Sequence, residues 1–167
     1  GSEIIVIHMG SYYPGDKKGT ENGKDRLYKS LEYLLPYAEK YDVTIALENY
    51  PVGENAIFKK PEDVLNILRD FDSKYLKLTL DIGHANLTNI SPLDYIKTLK
   101  GEIVHLHLND NFGKEDQHLV PGDGEMNYPA IFKQLKEINF DQVGIFEIWA
   151  PDKTDQALIN SKNYIES

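Results

Sequence analysis

Apolar residues in this chain come in short continuous runs, separated by longer stretches with helical spacing. The runs lie at about 3–8, 43–48, 76–81, 103–108 and 142–148 and read as buried strands. Between them the spacing predicts helices near about 24–41, 61–71, 91–100 and 128–139, with a last one at about 154–165. Proline marks three helix starts, at Pro61 ahead of Glu62-Asp63, at Ser91-Pro92 and at Tyr128-Pro129, positions where its missing N–H costs little. Pro36 falls inside the first helix and is expected to kink or divide it. Strands alternating with helices predict an α/β domain on a parallel sheet. Two connections, 9–23 and 109–127, are long and rich in Gly, Asp and Asn. Both follow a strand, where such folds carry functional loops. No repeat, low-complexity segment or linker interrupts the chain, so residues 3–167 read as one domain of five βα units. Gly1-Ser2 reads as an expression scar, and a chain that opens directly on a strand is expected to be a fragment.

Composition narrows the function classes. The length of 167 residues suits one domain with a real core. No apolar run approaches the roughly 20 residues a membrane span needs, and no secretory segment stands near the start. The absence of cysteine excludes disulfides and thiolate metal sites. It fits a reducing compartment, so a cytoplasmic location is expected. A net charge of −9 leaves nucleic acid a disfavoured partner. The basic pairs Lys17-Lys18 and Lys59-Lys60 read as solvated loop lysines.

The strands share one grammar. Each runs apolar residues into a single chemistry-bearing side chain, respectively His8, Glu48, Asp81, His107 and Glu147. In a parallel barrel these C-terminal ends meet on one rim. Three carboxylates brought together without a cation would cost several kcal/mol through desolvation and repulsion, so a divalent metal is expected among them. His105 shares a face with His107 but sits deeper, and a hydrogen-bonded core histidine is the expected reading. In Asp81-Ile-Gly-His84 the Asp and His lie three apart around a tight turn and can face one cavity. Asp116-Gln-His118 lies in an extended loop ahead of Pro121-Gly122-Asp123-Gly124, and reads either as rim groups or as a solvated loop. Trp149 and Tyr50 directly follow the Glu147 and Glu48 strands, and either line a sugar-sized pocket or pack under a loop.

Ala46-Leu-Glu48-Asn49, Leu80-Asp-Ile-Gly-His84-Ala-Asn86, His105-Leu-His107-Leu-Asn-Asp110 and Asp116-x-His118-x-x-Pro-Gly-x-Gly124 together resemble the xylose-isomerase-like barrel superfamily. That superfamily holds sugar isomerases, ketose 3-epimerases, hydroxypyruvate isomerases, inositol-catabolism enzymes and endonuclease IV. The resemblance runs from about residue 4 to about 150 and covers five of eight barrel strands, the fold usually taking about 250 residues. It implies an incomplete (β/α) TIM barrel lacking roughly three N-terminal units, with two open sheet edges and hence a homo-oligomer that covers them.

The epimerase branch implies Glu48, Asp81, His107 and Glu147 as metal ligands, Glu48 and Glu147 as the catalytic pair, and His84 as a substrate-binding residue. The expected reaction is isomerisation or epimerisation of a small carbohydrate, a sugar or sugar phosphate, by proton transfer through an ene-diolate. The oxygen-rich ligand set suits Mn²⁺, Mg²⁺ or Co²⁺, and Zn²⁺ is compatible. An arginine that epimerases carry shortly after the metal histidine has no counterpart, since Gly113 and Lys114 stand there, which counts against the free-ketose 3-epimerase subtype. The endonuclease IV branch implies His8, His84, Asp116 and His118 as further metal ligands, for a zinc phosphodiesterase acting at abasic DNA. A barrel fragment without activity is the third expectation.

Overall fold

The computed structural model describes residues 1–12, 15–50, 56–58, 60–149 and 154–166; Lys59 lies outside them. Five strands form one parallel sheet in chain order, β1 Ile4–His8, β2 Thr44–Glu48, β3 Leu76–Asp81, β4 Ile103–Leu108 and β5 Gly144–Phe146. The helices are α1 Gly19–Tyr41, α2 Pro61–Phe71, α3 Ile82–Asn86, α4 Pro92–Leu99, α5 Tyr128–Glu137 and α6 Thr154–Glu166. The architecture is an incomplete (β/α) barrel, with β1 and β5 as the sheet edges.

Alternation along the strands decides what faces where. Ile45, Leu47, Leu76, Leu78, Leu80, Leu106 and Leu108 join one core with Leu31 of α1, Val64 and Ile67 of α2, Ile96 and Leu99 of α4, and Ile131 and Leu135 of α5. Each such side chain contributes about 1.5–3 kcal/mol when fully buried. The opposite face carries the polar series. Strand register sets His8 beside Glu48, and Asp81 beside His107. A slip of one residue would turn these groups into the core, so the buried leucines fix the site's register.

Four local expectations change. The first helix begins at Gly19, ahead of the predicted start. Asp16 organises this turn, accepting from Lys18 N and Asn22 Nδ2. A Cβ at Gly23 would come within 2.6 Å of Ile57, so the glycine that reads as loop is a close-packing position. Pro36 does not divide α1, which runs unbroken to Tyr41. Its apolar face, with Leu27, Leu31 and Ala38 buried on both sides of the proline, holds it to the sheet. The turn after Asp81 is a short helix, α3, because the Asp81 carboxylate caps it by accepting from His84 N. Strand β5 is shorter than expected, since an edge strand has one partner, although Glu147 N still donates to Leu108 O at 3.1 Å.

Candidate metal centre

Glu48, Asp81 and His107 end β2, β3 and the inward row of β4, and Glu147 follows β5 directly. One ligand atom from each of the four lies within 4.8 Å of the others. His107 Nδ1 stands 3.3 Å from Glu48 Oε1, 3.8 Å from Asp81 Oδ2 and 3.0 Å from Glu147 Oε2. None of these contacts has hydrogen-bond alignment for the ring nitrogen: His107 Nδ1 and Glu147 Oε2 are buried atoms without a partner. Unpaired lone pairs converging on one point are what a cation would satisfy. The donor set therefore fits a divalent metal, with one nitrogen and three carboxylates.

Electrostatics of the metal-free centre point the same way. Burial, opposed by the His84 charge, pushes Asp81 up to about 6. At Glu48 burial is outweighed by His107 and His84, which hold it down at about 2. Burial depresses His107, but Glu48, Glu147 and Asp81 overcome this and raise it. Carboxylates packed this closely draw compensating positive charge from the imidazoles around them.

His84, Asp116 and His118 form a second cluster whose ligand atoms also lie within 4.8 Å of one another. His84 Nδ1 donates to Asn49 O at 2.9 Å, and its Nε2 lies 3.3 Å from Asp116 Oδ2. With an acceptor at each nitrogen the ring is held as imidazolium. Burial opposes that charge, yet Asp116, Glu48 and Asp81 raise its pKa to about 11. Burial raises Asp116, but His84 and His118 outweigh it and hold it below the usual carboxylate range. His118 donates from Nδ1 to Glu147 O at 2.8 Å, so the 109–127 loop is strapped to the end of β5. Trp149 stacks on His118 with a 16° interplanar angle and is 75% exposed. His8 Nε2 reaches Glu48 Oε2 at 3.1 Å, and Tyr50 packs edge-on against His8. His105 is half-buried and not the core histidine expected, and burial and His107 depress its pKa.

Asn109 and Asp110 stand in a quoted motif without a role of their own, and Asn111 follows it, yet all three residues are fully buried. A usable signal was there: three small polar residues directly follow an apolar strand, which a solvated loop does not require. Asn111 Nδ2 donates to Gly83 O, and its Oδ1 accepts from Asn86 Nδ2. Asp110 staples the loop. It accepts from Asn111 N at 2.8 Å, Gly122 N at 2.9 Å and Met126 N at 3.3 Å. Gly122 has φ +99, and a Cβ at Gly124 would lie 2.2 Å from Asp110 Oδ1, so both glycines are needed for the wrap. Asp110→Ala strands buried backbone donors and is expected to cost about 3 kcal/mol, or roughly 6–12 °C in melting midpoint. Chemical denaturation measures this; a loss under about 1 kcal/mol would show that the loop closes without the staple.

A family profile described as xylose isomerase-like TIM barrel matches residues 1–166. The chain belongs to that family. An uncharacterised protein of Methanocaldococcus jannaschii is 35% identical over 145 residues, covering 85% of this chain and 49% of that protein. A D-psicose 3-epimerase of Enterocloster bolteae is 27% identical over 153 residues, 87% of this chain and 49% of the epimerase. A crystal structure of a D-tagatose 3-epimerase-like protein superposes with TM-score 0.84 at 33% identity, covering 99% of this chain and 64% of that one. The chain thus spans about half the length of these two curated relatives of the xylose isomerase-like family. Among the described residues, no helix is long and apolar enough to cross a membrane.

Proposed function

We propose that the chain carries the metal-binding rim of a sugar or sugar-phosphate isomerase or epimerase that moves a proton next to a carbonyl. The observation that carries this reading is the convergence of two glutamates, Glu48 and Glu147, on one ligand cluster with His107. The relatives named as epimerases support a carbohydrate substrate. A divalent cation held by Glu48, Asp81, His107 and Glu147 would supply positive charge opposite the substrate oxygens.

The chain's own residues divide the remaining work. The Glu147 side chain is 41% exposed and that of Glu48 only 2%, so Glu147 is the better placed to take a proton from substrate. Glu48 is buried among His8, His84 and His107, a cluster from which a proton can be returned. Proton return to the same carbon from the other side inverts it; return to the neighbouring carbon isomerises the sugar. Trp149 presents an exposed ring beside the rim on which a sugar face can stack.

Proton NMR in deuterated water tests this. A panel of ketoses and ketose phosphates with Mn²⁺ should lose the signal of the proton next to the carbonyl. A protein that binds Mn²⁺ and exchanges none of them would sink the reading. A second reading, a multi-metal phosphodiesterase at abasic DNA, draws support from the cluster of His84, Asp116 and His118 and from His8 beside Glu48. The net charge of −9 counts against it. Cleavage of abasic duplex with more than one ion bound per chain would favour it.

The same proposal includes a second copy of the chain over the open edges. Ile5 of β1 is 50% exposed and Val143 beside β5 is 66% exposed, and apolar sheet edges favour association. Sedimentation velocity at micromolar concentration should give a dimer or larger; a clean monomer removes this part.

A further inference from the structure

Both oxygens of the Asp81 carboxylate are held by groups outside the ligand quartet. Oδ1 accepts from His84 N at 2.7 Å, and Oδ2 accepts from Asn109 Nδ2 at 3.0 Å. Asn109 is fully buried at 0% exposure, and its own Oδ1 has no partner. The amide has one tolerable orientation. Turned over, it would aim Oδ1 at the Asp81 carboxylate, oxygen against oxygen. As it stands, Oδ1 lies against Gly83, where a Cβ would fall 1.8 Å from it. A buried acceptor without a partner is a cost to folding, and no other hydrogen bond of the Asn109 side chain offsets it. What the orientation secures is the N–H on Asp81. Asn49 fixes the same residue from the other side, its side chain pairing with both Asp81 N and Asp81 O at 2.8 and 3.0 Å.

We propose that Asn109 is a positioning residue for Asp81, taking one lone pair of Oδ2 and leaving the other turned toward Glu48, His107 and Glu147. This rests on the reading of the quartet as a metal centre. Outer groups that orient a ligating carboxylate typically change metal affinity by about 10–100-fold when removed. A merely structural Asn109 would instead change stability and leave affinity alone.

The experiment titrates the chain with Mn²⁺, following free Mn²⁺ by electron paramagnetic resonance, and melts the metal-free proteins in parallel. Asn109→Leu keeps the branching at Cγ and removes both the donor and the orphaned acceptor; Asn109→Ser is the smaller variant should the bulkier leucine not fit. Both are expected to bind Mn²⁺ about 10–100-fold more weakly while the metal-free proteins still unfold cooperatively. Unchanged affinity in a folded variant overturns the proposal while the metal centre stands. Loss of fold in both variants overturns it too, by making Asn109 structural. A parent chain that binds no Mn²⁺ overturns the metal-centre reading, and this inference with it.

Discussion

Replacing Glu147 by Gln is expected to slow proton exchange next to the substrate carbonyl by about 10²–10⁴-fold, the usual range for a positioned general base. The substitution keeps the shape and removes the basicity. Glu147 bonds to β4 only through its backbone N–H, and its side chain is half-exposed, so the metal-free protein should melt as before. Its Oε2 is an unpaired atom 3.0 Å from His107 Nδ1, and Mn²⁺ affinity should fall as well. Rates are therefore compared at saturating Mn²⁺, where occupancy is equal. A parent-like rate under those conditions would remove Glu147 from proton transfer and leave it a ligand only.

Adding Mn²⁺ to the parent chain should raise its melting midpoint by about 5–15 °C. Linkage gives about 2.7–4.1 kcal/mol at 100–1,000 times Kd, and a domain of this size gains roughly 2–4 °C per kcal/mol. The shift should also grow with pH. Asp81, with a metal-free pKa raised to about 6 from 3.8, favours the folded state while protonated. That contribution is present below its usual pKa and lost as pH rises through about 6. His107, also raised, holds a proton on a ligand nitrogen. Metal must displace both, so binding tightens through this window while the metal-free protein weakens. A shift independent of pH, or one retained in full by Asp81→Asn, would contradict the assignment of Asp81 as a ligand.

The strand-end residues were legible because two constraints act on them together. The face of a parallel strand buried against helices must be apolar, so the last chemistry-bearing side chain on the other face marks the rim. Register then follows from leucines such as Leu78 and Leu80, both at 0% exposure. The start of α1 was not legible, because Gly19 and Gly23 are loop residues by propensity and helical only through packing on Tyr12 and Ile57. Helix α3 likewise contains Gly83 and Asn86 and depends on a cap from Asp81. The burial of Asn109, Asp110 and Asn111 was hidden for a different reason. Their partners include Asp81 and Gly83, far back in the chain, and Gly122 and Met126 ahead. Small polar residues directly after an apolar strand hint at burial, but name none of these distant partners.

The order of the sheet has a consequence for how the molecule assembles. Each strand pairs only with its neighbours in the chain, so every step of growth closes one βα unit, joining residues as near as Leu78 and Ile103 or as far as Ile4 and Thr44. The quartet draws on four strand ends, and the last of them belongs to the short edge strand β5. Docking of β5 brings Glu147 to three ligands that β2, β3 and β4 have already assembled. Release of that one strand would open the cluster without melting the rest, and a metal held by all four would close this route of local unfolding. Amide hydrogens of β5 should then be the ones whose exchange slows most when Mn²⁺ binds.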